Sequence, residues 1–141
     1  MYVLDTDCVT LVERADSPDG QRLRLRLAAL PPEEKATTIV SFEEQTRGWL
    51  GVIHGARRLD KLIDAYRRLH RQLTNYCQML VLAFDEGAAT RYQALKKALP
   101  RDGDMDLKIA AIVLTHDAIL LSRNLQHFRK VPSLKVEDWT R

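Results

Sequence analysis

The chain has 141 residues, 22 Lys+Arg against 19 Asp+Glu for a formal net charge of +3, and 45% hydrophobic residues. That length and mix suit one globular domain over residues 1–141, able to bury a core without disulfides or structural metal, and exclude a disordered chain. No apolar run reaches the ~18 residues of a membrane span, and Met1-Tyr2-Val3-Leu4-Asp5 reads as a strand rather than a secretory leader. Cys8 and Cys77, the only cysteines, both sit among apolar residues and read as reduced core thiols. A soluble, cytoplasmic protein is expected.

Tyr2-Val3-Leu4 is a short apolar run ending in Asp5 and predicts a buried strand. Asp16-Ser17-Pro18-Asp19-Gly20 reads as a turn, and Leu23, Leu27 and Leu30 then fall at helical spacing. Pro31-Pro32 ends that element. Thr37-Thr38-Ile39-Val40 predicts a second strand. Ser41, with Glu44 three residues on, has the spacing of a capping box for a helix running to about Gly55. Leu59, Leu62, Ile63, Tyr66, Leu69 and Leu73 form the apolar stripe of the next helix, opposite a face of Arg, Lys and Asp. Met79 to Leu82 predicts a third strand, and Asp85 caps a helix closed by Pro100. Asp104 or Asp106 opens a further helix through Leu114, followed by a fourth strand over Ala118 to Leu121 and a short fifth from Val136.

Short continuous apolar strands alternating with helices imply a three-layer α/β fold, with a central parallel sheet of four to five strands flanked by helices. In such sheets the site lies beyond the carboxyl ends of the strands, where their order reverses. Asp5 follows the first strand and Glu44 the second. Asp106 opens the helix leading to the fourth, and Asn124 lies just past it. Carboxylates brought together raise one another's pKa unless a cation neutralises them. Mg²⁺ or Mn²⁺, which prefers oxygen ligands, fits that role, and the implied chemistry is metal-assisted hydrolysis of a phosphodiester. Read singly, Asp5-Thr6-Asp7 is turn and cap chemistry, Glu44 half of a capping box, and Asp104 and Asp106 helix-start residues. Their co-occurrence at strand ends, in chain order, argues for a shared site.

These residues resemble the PIN-domain ribonucleases, in particular the small VapC-type toxins and their stand-alone relatives. The resemblance runs through Tyr2-Val3-Leu4-Asp5-Thr6-Asp7, then Glu44 with Gly48 four residues later, then Gly103-Asp104-Met105-Asp106-Leu107-Lys108-Ile109-Ala110-Ala111. It continues through Leu120-Leu121-Ser122-Arg123-Asn124 into a closing segment ending at Trp139. It implies a PIN-like fold, a metal-dependent ribonuclease, and metal-binding roles for Asp5, Glu44 and Asp106, with Asn124 in support and Thr6 or Ser122 orienting a water. It also implies an RNA substrate, an antitoxin partner and a homodimer, with no membrane association. Many members carry Asp where this chain has Asn124, which keeps an oxygen ligand but loses a charge and implies one metal rather than two.

Two other readings stay open. Asp5-Thr6-Asp7-Cys8-Val9 also satisfies the strand-end motif of haloacid-dehalogenase-type phosphatases, with Asp5 as nucleophile and Asp7 as general acid. A PIN-like module that binds RNA or protein without cutting is the second, kept alive by Asn124. His54, His70, His116 and His127 show no metal spacing, and Trp49 and Trp139 read as packing residues. The charged face from Arg57 to Arg71 reads as solvated, with i, i+4 pairs. Arg47, Arg123 and the Arg57-Arg58 pair are candidates for phosphate contact. Setting apart the three negative charges of Asp5, Glu44 and Asp106 turns the net +3 into +6 for the remaining body, a layout suited to a polyanion.

Overall fold

The computed structural model describes residues 1–14 and 16–141. Five short strands, β1 (Tyr2–Leu4), β2 (Lys35–Thr38), β3 (Leu80–Leu82), β4 (Ile119–Leu121) and β5 (Lys135–Glu137), form one sheet in the order β3-β2-β1-β4-β5. Every pairing is parallel, with Val3 opposite both Ala36 and Leu120. Among the described residues seven α-helices flank it: α1 (Thr6–Arg14), α2 (Pro18–Ala28), α3 (Ile39–Gly55), α4 (Leu59–Cys77), α5 (Glu86–Ala98), α6 (Asp104–Thr115) and α7 (Leu125–Phe128). The chain builds outward from β1 to β3, then crosses back to place β4 on the other side of β1. The order therefore reverses at β1, and a crevice opens beyond the carboxyl ends of β1 and β4.

Each face of the sheet carries its own core. On one side lie Val3, Ala36, Leu120 and the α6 residues Leu107 and Ile109 to Val113. The latter are at most 1% exposed, so α6 is apolar nearly all round and works as a central helix. On the other side Leu4 and Leu121 pack with Cys8, Val9, Leu23, Leu27, Tyr76 and Trp139. The α1 and α6 helices that carry site residues at their first turns are thus anchored in opposite cores, and the sheet between them sets their spacing.

Several sequence expectations are corrected. The second strand ends at Thr38, and Ile39 and Val40 already belong to α3. The α3 cap is Thr38, whose side chain accepts from the Ser41 amide 3.1 Å away, rather than Ser41 with Glu44. This frees Glu44 for the site. The Asp16 to Gly20 string is a helix start, not a turn: Ser17 caps Gly20 N–H at 3.1 Å and Pro18 stands in the first helical turn, where its missing N–H costs nothing. Cys77 is exposed, and only Cys8 is a core thiol. On α4 the buried seam is Ala65, Gln72 and Tyr76, while Leu59, Ile63, Tyr66 and Leu73 of the expected core stripe are 44–71% exposed.

Candidate active site

Asp5, Thr6, Asp7, Glu44, Asp106, Arg123, Asn124 and Phe128 line a cleft of about 510 Å³ at the reversal point. The sequence-predicted carboxylates Asp5, Glu44 and Asp106 therefore share one cleft with Asn124, although they come from four stretches of the chain. Asp104 does not join them: it pairs with Lys96 at 2.7 Å and accepts from the Tyr92 hydroxyl at 3.0 Å.

Among Asp5, Glu44, Asp106 and Asn124, Asp5 is the most enclosed, 7% exposed. Its amide continues the sheet by donating to Leu121 O at 3.1 Å, and its Oδ1 accepts from Cys8 N at 2.8 Å in the first turn of α1. Burial raises its pKa, with Asp7 adding to the rise, while hydrogen bonds from Ser122 and Cys8 oppose it. Asp106, at the start of α6, is also raised, first by burial and further by Asp102. His127 opposes that rise, its Nε2 lying 3.2 Å from Asp106 Oδ2. Burial, more than any charged neighbour, thus holds both acids above the ordinary carboxylate range.

Glu44 is positioned from the α1 side. The Thr6 hydroxyl lies 2.6 Å from Glu44 Oε1 and 3.0 Å from Ser41 Oγ, tying the first turn of α1 to α3. Ser122, fully buried, accepts from Asn124 N at 3.0 Å, which fixes the bend after β4. The Arg123 guanidinium grips both carboxylate oxygens of Asp7, at 2.8 and 3.1 Å, and reaches Asp19 at 3.3 Å. Asp7 is therefore committed to an ion pair at the rim.

The donor set is wholly of hard oxygens, carboxylate and amide, which suits Mg²⁺ or Mn²⁺ and not a thiolate- or imidazole-seeking ion. Among the described residues no three His, Cys, Asp or Glu side chains form a ready-made cage. An ion of this kind keeps several waters and is commonly held by one or two carboxylates, so the open arrangement fits it.

Sequence reasoning missed two contributors. His127 lies within bonding distance of Asp106, and Asp102 acts on the same carboxylate through space. Neither stands in a recognisable motif; only its being one helical turn past Asn124 marked His127. Of the cations expected to contact phosphate, Arg47 pairs with Glu43, Arg58 with Asp60 and Arg123 with Asp7, whereas Arg57 takes part in no salt bridge among the described residues.

Fold and cleft define a parallel α/β protein with an acidic crevice at the strand-order reversal. The family model for the PIN domain matches residues 2–134, and the chain belongs to that family. Solved structures agree on the fold. Similar chains occur in VapBC from Salmonella typhimurium bound to DNA (TM-score 0.74, 20% identity, 98% of this chain and 97% of that one). A chain of VapBC2 from Rickettsia felis bound to a promoter DNA fragment gives 0.73 at 19% identity, with 98% of each chain covered. A chain of FitAcB from Neisseria gonorrhoeae gives 0.73 at 19%, covering 98% and 97%. No curated protein matches the sequence. No helix among the described residues is long and apolar enough to cross a membrane.

Proposed function

We propose that this protein is a metal-dependent endoribonuclease of the toxin or stand-alone PIN type, a single cytoplasmic domain that hydrolyses RNA phosphodiester bonds. The observation that carries the reading is a buried Asp5 at the reversal point facing the same cleft as Glu44 and Asp106. Asp5, Glu44 and Asp106 would hold Mg²⁺ or Mn²⁺ directly or through water, with Asn124 in support. Bound there, the ion offsets the clustered negative charge, lowers the pKa of a water and stabilises charge on a phosphoryl oxygen. Thr6 orients Glu44, and hydrogen bonds from Ser122 and the Cys8 amide favour the carboxylate form of Asp5 against its burial. The phosphatase reading needs Asp7 as a free acid, whereas Asp7 is paired with Arg123.

The partners in this reading are RNA, a cognate antitoxin and a second copy of the chain. The structural neighbours include a toxin–antitoxin complex from Klebsiella pneumoniae. The uncovered apolar residues of α4 are the kind of surface that a protein partner buries. A binding-only module is favoured by one observation, the neutral Asn124 in place of a fourth acid. One assay separates the two: RNA cleavage with Mg²⁺ or Mn²⁺ by wild type, Asp5→Ala and Asp106→Ala, each repeated with chelator. Cleavage by wild type alone, abolished by chelation, is expected. Equal activity in all three proteins refutes the nuclease reading, and tight RNA binding without cleavage favours the binding module.

A further inference from the structure

A second and larger depression, about 980 Å³, runs between α1, α3 and α4. It adjoins the cleft. On α1, Thr6 lines the cleft and Thr10, one turn on, lines the groove; on α3 the change comes between Glu44 and Gln45. Gln45 Nε2 donates to Thr10 Oγ1 at 3.0 Å and Tyr76 OH to Gln45 Oε1 at 2.7 Å, so the groove floor is braced across three helices.

Four arginines, Arg14, Arg67, Arg68 and Arg71, stand along it. Among the described residues Arg14, Arg67 and Arg71 take part in no salt bridge, while Arg68 pairs with Asp64 at 3.0 Å. Glu13, Asp16 and Asp64 line the groove as well, leaving cations in excess by one. Arg67 and Arg71 are one helical turn apart, about 6 Å along the axis. Trp49 lies half-buried in the wall, with the Arg68 guanidinium 5.6 Å from its ring centre. In the floor Gln72 is 3% exposed; its Nε2 donates to Thr46 at 2.7 Å, yet its Oε1 has no partner. That oxygen is closed to solvent, so Gln72 serves the groove as a fixed part of its floor.

We infer that this groove is a binding track for single-stranded RNA leading away from the cleft. Phosphates would meet Arg67, Arg71 and Arg14, and a base would stack on Trp49. The combination of spaced cations, an aromatic face and hydrogen-bonding walls is what single strands use. Only Trp49 and Val52 are large apolar residues in the lining, too few to seat the apolar face of an amphipathic peptide helix. The inference rests on the nuclease reading for the choice of RNA, while the groove itself stands on its own residues.

The test is fluorescence anisotropy with a labelled oligouridylate in chelator, where nothing is cut. The proteins are wild type, the double variant Arg67→Glu/Arg71→Glu, and Gly48→Leu. Gly48 lines the groove, and a Cβ there meets nothing within 4 Å, so the leucine fills the track rather than the core. Losing two phosphate contacts weakens binding about 25-fold at 0.1 M salt, and the slope of log K against log[salt] falls by about 1.4. Gly48→Leu weakens binding without changing that slope as much, and wild-type tryptophan fluorescence is quenched by RNA but not after Trp49→Phe. An unchanged metal-dependent thermal shift in the variants certifies fold and cleft. If wild type cuts RNA and the groove variants bind it as tightly as wild type, the track is refuted and the nuclease reading survives. Binding that depends on the groove without any cleavage supports the track and removes the nuclease reading. A wild type that binds no RNA, or a polyglutamate peptide that binds the groove where RNA does not, overturns the inference.

Discussion

Asp5→Asn separates the stability cost of the buried carboxylate from its use. Asp5 is 7% exposed, and its pKa is raised above the ordinary 3.8, foremost by burial. A raised folded-state value means that the native protein holds this proton more tightly than the unfolded chain. The stability linked to it is fully present below the unfolded value and is lost as pH rises through the folded one. Ionisation of Asp5 in the metal-free wild type therefore opposes folding. An amide removes that charge and keeps an acceptor for the Cys8 amide, 2.8 Å away. The gain is on the order of 1 kcal/mol, the common size of a single stabilising change. For a chain of 141 residues that is a rise in Tm of about 4 °C. Metal works the other way. An ion at a hundred times its Kd stabilises the native state by about 2.7 kcal/mol, or roughly 10 °C, and the variant forfeits most of it. Thermal unfolding in chelator and in saturating Mn²⁺, at neutral pH and at about pH 3.5, reads all terms. The variant should melt above wild type in chelator at neutral pH, lose that lead in acid, and melt below wild type with Mn²⁺. A variant that is the less stable in chelator, or that keeps the full Mn²⁺ shift, refutes the reasoning.

Asn124→Asp adds a unit charge to a cleft that already holds Asp5, Glu44 and Asp106. Charges ~4 Å apart at an effective dielectric of about 20 interact by about 4 kcal/mol, so calorimetry should show Mn²⁺ binding tightened by at least about tenfold and Tm in chelator lowered. Leu107→Ala acts on the opposite side of the same helix start, since Leu107 is fully buried beside the half-buried Asp106. Urea unfolding should show a loss of about 3 kcal/mol from the cavity, with the Mn²⁺-induced shift retained.

The sheet was legible because its strands are short apolar runs that stop at polar residues, and a strand end in sequence is a strand end in space. Boundaries inside β-branched runs were not. Thr37-Thr38-Ile39-Val40 has uniform strand preference, yet the cap is decided by which hydroxyl can reach an amide three residues on, and Thr38 takes Ser41 N–H before Ser41 can take Glu44. Ser17-Pro18-Asp19-Gly20 failed likewise, because a hydroxyl residue before proline signals a turn and a helix start equally well. The α4 stripe shows a different limit. Periodicity reports that a face is apolar, not that anything covers it, and four of its six residues lie open.

The site divides along the same line. Asp5 and Asn124 follow strands, Glu44 and Asp106 sit in the first turns of helices at the sheet's carboxyl edge, and topology alone brings such positions together. What supports them does not follow from topology. The Thr6–Glu44 contact depends on how α1 and α3 rotate about their axes, and the approach of His127 to Asp106 on where a one-turn helix lands. Arginines make the point most sharply. Arg47, Arg58 and Arg123 looked open to phosphate in sequence, yet each is held by a carboxylate, one of them from residues more than a hundred positions away. Arg67 and Arg71 looked like part of an internally paired helix face, yet only Arg68 of that cluster has taken the available Asp64. Whether a cation is available is a property of its spatial neighbours, so the groove became visible only once α1, α3 and α4 were packed.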